Sequence, residues 1–259
     1  MVEVAIAPAI VQPVARTFGV EVETVGLSLE RVARAVLSAV SGTLQRQTDP
    51  DDPTTVFWTV EAPDGRAWKV EDDDSLQVPA DERAELVSPI LVETDIELLM
   101  RIVDAVRTAG ATVNAHCGVH VHIGAATCTV EHINRAIDAL IVLEPIVIER
   151  MLGISEHRRQ FAGLMSRDFI DQFRAARPTT FEALWVLWAG PGYDEQRRSN
   201  RYDKARYKGF NLHSHAFRGT IEFRYFNGTV DPQRIVEYVR LCLGVAEQAG
   251  FPIPSQEDL

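Results

Sequence analysis

The sequence predicts an α+β fold in which helices cover one face of a mostly antiparallel β-sheet. Segments with the two-residue period of strands interleave with segments that have the three- and four-residue spacing of amphipathic helices. Neighbouring strand segments are joined by short turns, which is the pattern of antiparallel hairpins. The 259 residues contain no internal repeat, no low-complexity tract and no change in composition that would mark a boundary. We therefore expect a single domain over residues 1–259.

A strand, a helix and a hairpin are predicted at the start of the chain. The strand covers residues 14–24. Ser28 can cap a helix whose apolar positions recur every three or four residues, and SGT at residues 41–43 ends this helix. QTDPDDP is predicted to be a loop. Residues 54–60 and 67–70 are predicted to be strands joined by the turn APDGR.

Two more strands and two more helices are predicted in the middle of the chain. The acidic turn EDDDSLQ leads to a short strand, AELVSPI, and Gly110 ends the helix that begins near TDIE. CGVHVHIG is predicted to be a strand between two glycines. Thr129 can cap a long helix over residues 130–152, in which Pro145 can introduce a kink.

The last third of the chain is predicted to be helical at both of its ends. Residues 155–190 are rich in Trp, Phe and Leu and are expected to be helical, and residues 190–209 are expected to be a basic loop. FNLHSHAF and TIEFRYF are predicted to pair as antiparallel strands. A final helix covers residues 232–248, with Pro232 in its first turn.

The charge and the cysteine content exclude several classes of protein. The formal net charge of −11 argues against non-specific binding to nucleic acid or to an anionic membrane surface. Bound cations can still reverse the local field and allow anionic substrates. Three scattered cysteines do not make a disulfide framework, and no apolar run reaches the length of a membrane-spanning helix. We expect a cytoplasmic protein, and its oligomeric state is left open.

Three predicted strands each carry a pair of polar side chains two residues apart. The side chains of a strand alternate between its two faces, so both members of each pair lie on the same face of the sheet. The residues between them are apolar, which predicts one buried face and one face of carboxylates, imidazoles and a guanidinium. The pairs are Glu21 and Glu23, His120 and His122, and Glu222 and Arg224, with Glu85 on a further strand.

This concentration of metal-ligand types favours a site for hard divalent cations. Carboxylates that share one face repel each other until Mg²⁺ or Mn²⁺ binds between them. An arginine two residues from such a carboxylate is well placed to contact a transferring phosphoryl group. Each pair alone is commonly a solvated strand or a local charge pair. Three together make that interpretation much weaker.

Four segments, FGVEVET, AELVSPIL, CGVHVHIG and TIEFRYFNGTVDP, resemble the putative amidoligase family in their order and spacing. That family belongs to the carboxylate–amine ligase superfamily, with glutamine synthetase and glutamate–cysteine ligase. The resemblance implies a glutamine-synthetase-like fold, with a curved sheet that binds ATP and divalent cations on its concave face and packs helices on its convex face. It also implies ATP-dependent amide or isopeptide bond formation through an acyl phosphate.

The resemblance also assigns roles to individual residues of the three strand pairs. Metal ligation falls to Glu21, Glu23, Glu85, His122 and Glu222. His120 and His122 are placed at metal or phosphate, and Arg224 is placed at the γ-phosphate. The implied cofactors are ATP and Mg²⁺ or Mn²⁺. The implied partners are a small molecule, peptide or protein that carries a carboxylate, and an amine co-substrate.

Four further residues are weaker candidates. Asp74, in the acidic turn, is placed by the resemblance to contact a metal or the attacking amine, and a solvated turn is as good an interpretation. Arg201 and Arg206 lie in the basic loop, which is either a lid over ATP or an ordinary surface loop. Asn211 is expected to face the cleft from a strand that it shares with His213 and His215, which could form a second metal site.

Two other functions stay open at this stage. One is a metal-dependent hydrolase of amides or phosphoesters, in which His120, His122 and the carboxylates would activate water. The other is an inactive module that binds metal or nucleotide. The presence of both Glu222 and Arg224 argues against the second of these.

Overall fold

One open antiparallel sheet of eight strands runs through the part of the chain described by the computed structural model, residues 15–50 and 52–253. The spatial order of the strands is β2-β3-β4-β5-β1-β6-β8-β7, and each neighbouring pair is antiparallel. The strands are β1 (Phe18–Val25), β2 (Thr43–Thr48), β3 (Val56–Glu61), β4 (Ala67–Glu71), β5 (Arg83–Val87), β6 (Gly118–Gly124), β7 (Phe210–Asn211) and β8 (Thr220–Asn227).

The described residues also form helices, and the longest of these pack on the apolar face of the sheet. Helix α1 contacts β2 to β5, α9 contacts β1 and β6, and α2 and α3 pack on these helices. None of the helices in the described ranges is long and apolar enough to cross a membrane. The helices are α1 (Leu29–Val40), α2 (Ile96–Thr108), α3 (Val130–Leu143), α4 (Glu156–Phe161), α5 (Arg167–Ala176), α6 (Phe181–Ala189), α7 (Glu195–Arg198), α8 (His213–Arg218) and α9 (Pro232–Gln248).

The predicted alternation of buried apolar residues with polar residues along the central strands is confirmed. Val20 and Val22 on β1, and Val119 and Val121 on β6, are at most 2% exposed and lie in the core under α9. The residues between them are the glutamates and histidines, which therefore lie on the opposite face. Helices do not lie on one face only, because α4 contacts β8 and places its Arg158 side chain against the polar face.

The predicted helix starts are confirmed where a side chain caps the backbone. Ser28 accepts a hydrogen bond from the backbone N–H of Arg31, and Thr129 accepts one from that of His132. Asp231 caps the last helix, and Pro232 occupies its first turn. The first strand begins at Phe18, and residue 14, where we placed its start, lies outside the described residues.

Two predictions of local structure are wrong, and a third, the helix over residues 130–152, is confirmed in its bounds but changes helix type. Residues 43–48 form an extra strand, β2, whose mostly exposed side chains give no apolar signal. The helix from residue 130 becomes a π-helix at Glu144–Leu152, with Pro145 in its first turn. Only Phe210–Asn211 of FNLHSHAF pairs with β8, because the Asn211 side chain accepts a hydrogen bond from the His213 N–H and the chain turns into α8.

The π-helix begins at a buried carboxyl group with a strongly shifted pKa. Glu144 is 3% exposed and accepts hydrogen bonds from the Tyr225 hydroxyl at 2.5 Å and the Met165 N–H at 2.8 Å. Burial raises the pKa of Glu144 from 4.5 to about 7, and the nearby charge of Glu149 also raises it. Between these two pH values the folded chain therefore binds more protons at this site than the unfolded chain does.

We predict that the free energy of unfolding falls from about pH 5 to 7 by up to ~1.4 kcal/mol per pH unit through this group. Its contribution is fully present below the unfolded pKa and is lost as the pH rises through the folded one. Glu144→Gln should reduce the decline, because its amide keeps partners for Tyr225 and Met165 without titrating. Urea unfolding at several pH values measures the slope. Glu247→Gln, at an exposed position of α9, is the control. Equal slopes for Glu144→Gln and the wild type would contradict the prediction.

Candidate active site

The polar face of the central strands forms the floor of a cleft of about 660 Å³. Cross-strand pairing places the side chains of this floor next to one another. Glu23 lies opposite Glu85, Glu21 opposite His120, and His122 opposite Glu222. Asn211 on β7 continues the last row. The cleft brings together all eleven predicted site residues but places them at different depths. On its floor lie Glu21, Glu23, Glu85, His120, His122, Asn211, Glu222 and Arg224, and on its rim lie Asp74, Arg201 and Arg206.

His213 also lines the cleft, and it was considered only as part of a possible second metal site with His215. The two histidines do not form a pair on one strand face, because α8 replaces the expected strand and turns their side chains apart. His213 lies at the cleft and contacts the Tyr193 hydroxyl and the Asn200 carbonyl, whereas His215 stacks on the Phe181 ring with 4.7 Å between the ring centroids. A metal site made of both histidines is therefore excluded in this arrangement.

Two clusters of potential metal ligands lie next to each other on the floor of the cleft. One contains Glu21, His120 and Glu222, and the other contains Glu23, Glu85 and His120. Within each cluster, the ligand atoms all lie within 4.8 Å of one another. Carboxylate oxygens with an imidazole nitrogen are donors that suit Mg²⁺ or Mn²⁺, so these residues fit the implied ions.

The electrostatics of the carboxylates also favour a bound cation. Burial raises the pKa of Glu85 well above its usual value, and the negative charges of Glu21 and Glu23 raise it further. Burial alone would also raise the pKa of Glu21, but the two histidines outweigh it and lower that pKa well below the usual range. Neighbouring carboxyl groups with such opposite shifts are typical of a functional site.

His120 is held as a neutral imidazole with a defined tautomer. The Arg158 guanidinium donates to its Nε2 at 2.9 Å, so Nδ1 carries the proton and donates to Glu21 Oε2 at 3.0 Å. Burial lowers the pKa of His120, and the positive charge of Arg224 lowers it further. The ring therefore orients Glu21 without adding a charge to the site.

His122 differs from His120 in its contacts and in its pKa. Its Nδ1 contacts the Thr220 hydroxyl at 3.1 Å, whereas its Nε2 is buried with no hydrogen-bond partner in the described residues and lies 3.3 Å from Glu21 Oε1. Burial opposes protonation, but the charge of Glu21 raises the pKa of His122. The unpartnered nitrogen is suited to bind a ligand.

Glu222 and Arg224 form a buried ion pair that Asn211 extends. An Arg224 Nη donates to one Glu222 oxygen, and the Asn211 amide donates to the other at 2.6 Å. Burial alone would raise the pKa of Glu222, but Arg224 together with His122 and His120 outweighs it and lowers that pKa to about 2. Asn211 thus holds Glu222 in place as a charged carboxylate, and Arg224 lies beside it on the same strand.

Sequence analysis missed Arg158, which is 3% exposed at the centre of the site. Its guanidinium donates to His120 and to the Arg224 carbonyl, and one nitrogen lies 3.8 Å from Glu23 Oε2. Gly118 makes room for it, since a Cβ there would lie 2.4 Å from the Arg158 Cζ. No pattern marks Arg158, because α4 is short and far from β1 and β6 in the chain.

Sequence analysis also missed Glu71 on β4. It lies opposite Glu85, which lies opposite Glu23, so three carboxylates form one row across three adjacent strands. Lys69 contacts Glu71 at 2.5 Å and partly neutralises the row. The alternation of Lys69 and Glu71 around the buried Val70 was a visible signal, but the register of β4 against β5 was needed to interpret it.

The rim residues approach the floor without contacting either ligand cluster. Asp74 is exposed in a 3₁₀ turn, Asp74–Leu76. The Arg201 guanidinium lies 3.8 Å from Glu71, and Arg206 donates to the Arg201 carbonyl at 3.3 Å. The predicted basic loop is partly helical, with α7 and a 3₁₀ turn at Lys204–Arg206. Its role as a lid stays a prediction.

Comparison with known protein families gives a match over most of the chain. A family model with the description "Putative amidoligase enzyme" matches residues 14–246. This range contains every strand of the sheet and every residue of the two ligand clusters. No curated protein matches the chain.

Proposed function

This chain belongs to the putative amidoligase family, and on that premise we propose that it forms an amide or isopeptide bond at the expense of ATP. The family makes it an enzyme of ligase type. The observation that carries the proposal is the pair of adjacent ligand clusters that share His120, with Arg224 beside them. The acid substrate is an amino acid, a peptide or a protein side chain, and an amine is the co-substrate.

The proposed reaction has two group-transfer steps. A carboxylate oxygen of the acid substrate attacks the γ-phosphorus of ATP, the bond from that phosphorus to the β,γ-bridging oxygen breaks, and ADP leaves. The amine nitrogen then attacks the carbonyl carbon of the acyl phosphate. Phosphate leaves with the electrons of the broken carbon–oxygen bond, and the amine proton passes to solvent. The products are an amide, ADP and phosphate.

The residues that fit divalent ions are those of the two clusters. Glu21 and Glu222 would hold one ion and Glu23 and Glu85 a second. The unpartnered His122 Nε2, 3.3 Å from Glu21 Oε1, would be available to complete the first set, whereas both nitrogens of His120 are engaged by Arg158 and Glu21. When bound, Mg²⁺ or Mn²⁺ would neutralise charge on the triphosphate, which this chain does not cradle with a glycine-rich loop.

The remaining polar residues of the chain have positioning and charge-stabilising roles in this proposal. Arg224 supplies fixed positive charge next to Glu222, where negative charge develops on the transferred phosphoryl group. Asn211 keeps Glu222 oriented, and His120 keeps Glu21 oriented. Arg201 and Arg206 add positive charge at the rim, and Asp74 is available there to contact the amine.

Trapping the activated acid with hydroxylamine tests the proposal. The protein is incubated with ATP, Mg²⁺, hydroxylamine and a set of amino acids and dipeptides, and hydroxamate and ADP are measured together. We expect hydroxamate in a one-to-one ratio with ADP for at least one acid, and none without ATP. Hydrolysis of amides or phosphoesters with added zinc and without ATP would overturn the proposal and support the hydrolase instead.

A further inference from the structure

A second cleft, of about 320 Å³, continues from the carboxylate site at one end of the sheet. It lies where β1 and β8 begin and β5 and β6 end, and Glu21, His122 and Arg218 line both clefts. Most of its wall is apolar or small, and the main contributors are Phe18, Val87, Pro89, Ile90, Ala125 and Ala126. We refer to this second cleft as the apolar groove.

Gly19 keeps the apolar groove open beside the carboxylates. It precedes Glu21 by two residues on β1, so a side chain at this position would lie on the polar face next to Glu21. A Cβ here would meet Ser88 Oγ at 3.7 Å and His122 Cβ at 3.8 Å, which is ordinary van der Waals contact. A methyl group therefore fits, and a larger side chain would extend into the groove.

Arg218 gives the groove a positive charge at its junction with the carboxylate site. It ends α8, is about half exposed, and its Nη1 lies 3.7 Å from Glu21 Oε1. Among the described residues that line the groove, Arg218 is the single arginine, and none of them is a lysine. The unpartnered His122 Nε2 lies near the same junction. A guanidinium is the side chain best suited to bind a carboxylate in two-point contact.

The two ends of the combined cleft differ in charge. The end away from the apolar groove is lined by Glu71 and by the acidic turn that contains Asp72, Asp73 and Asp74. At this far end carboxylates outnumber the cations that partly neutralise them, such as Arg83 beside Asp72 and Arg201 near Glu71. A substrate carboxylate is repelled from that end and attracted to Arg218, whereas an amine is attracted to the acidic end. The charge distribution thus separates the sites for an acid and for an amine.

We propose that the apolar groove binds the acid substrate of the ligase, an aliphatic α-amino acid or the C-terminal residue of a peptide. The aliphatic side chain packs against Val87, Pro89 and Ile90, and the carboxylate binds Arg218 next to Glu21. The role of this ligand as the acid substrate rests on the proposed function. The chemistry of the ligand rests on the geometry of the groove alone.

Binding of three probes tests the assignment without any turnover. The probes are L-leucine, the dipeptide Gly-Leu and L-leucinamide, each titrated into the wild-type protein in the presence of Mn²⁺ and followed by calorimetry. Leucinamide has the side chain but no carboxylate, so it should bind at least about tenfold more weakly than the better acid. Preference for leucine identifies a free amino acid as the ligand, and preference for Gly-Leu identifies a peptide end. No binding of either acid would overturn the assignment.

Three variants locate the binding site within the cleft. Gly19→Leu should fill the groove and Ile90→Asp should make it polar, so each should weaken binding of the preferred acid at least about tenfold. Arg218→Ala should remove the preference for the acid over leucinamide. Ile90 and Val142 are both 60% exposed, and Val142 lies on α3 away from the groove, so Val142→Asp is the matched control and should bind as the wild type does.

The outcomes separate this assignment from the proposed function. Unchanged leucine and Gly-Leu binding in both Gly19→Leu and Ile90→Asp would overturn the assignment, even in a protein that consumes ATP. The assignment is supported if Gly19→Leu and Ile90→Asp weaken acid binding and Arg218→Ala removes the preference for the acid, even if no hydroxamate forms. Absence of hydroxamate would then count against the ligase alone. Circular dichroism and Mn²⁺ binding confirm that each variant is folded.

Discussion

Glu21→Gln is expected to reduce ATP-dependent hydroxamate formation by about 10²-fold or more, because the substitution removes one negative charge from the ligand cluster of Glu21, His120 and Glu222. Its oxygen can still accept the hydrogen bond that His120 Nδ1 donates at 3.0 Å, so the arrangement of β1 and β6 is retained. The loss should appear in both kcat and Mn²⁺ affinity. Steady-state kinetics and Mn²⁺ titration measure the two quantities.

Glu61→Gln is the matched control for this substitution. Glu61 is an exposed glutamate on β3, so the same chemical change there leaves the cleft untouched and should leave activity within about twofold. Near-wild-type turnover and Mn²⁺ affinity in Glu21→Gln would show that Glu21 does not bind the metal. A low unfolding midpoint for Glu21→Gln would instead point to a structural role.

Arg158→Met is expected to destabilise the fold by about 3–5 kcal/mol, since breaking a buried ion pair leaves the other charge without compensation. Glu23 would lose its nearest guanidinium, and both His120 Nε2 and the Arg224 carbonyl would lose a donor. Methionine has a similar length, so the change removes the charge and the hydrogen bonds more than the packing. Urea unfolding at neutral pH measures the difference in free energy.

Arg159→Met tests whether this loss comes from the site. Arg159 is the next residue in α4 and makes a surface contact with Glu149 at 3.2 Å, so its substitution should cost at most about 1 kcal/mol. Added Mn²⁺ should narrow the gap between Arg158→Met and the wild type, because loss of the Arg158 charge beside Glu23 lets the variant bind the ion more tightly, and tighter binding stabilises the folded state more by mass action. Equal destabilisation by the two methionine variants would contradict the role given to Arg158.

The strand pairs were predictable from sequence because alternation on a strand depends on neighbouring residues alone. Val20 and Val22 are buried and Glu21 and Glu23 lie in the cleft, as their spacing requires. The alternation rule failed at Asn211. There the side-chain oxygen accepts a hydrogen bond from the His213 N–H, two residues later, and a helix begins where alternation predicted a strand. It also missed β2, where no apolar face marks the strand.

The sequence by itself determined that one face of the sheet would carry carboxylates and histidines, since strand geometry fixes which side chains share a face. Only the tertiary structure decided which of them meet. The register of β4, β5, β1, β6 and β8 aligns the rows, and α4 brings Arg158 to His120. Contacts of this kind join residues far apart in the chain, and no local period encodes them. The charge pattern and groove that separate acid from amine in our proposal arise from the same long-range packing.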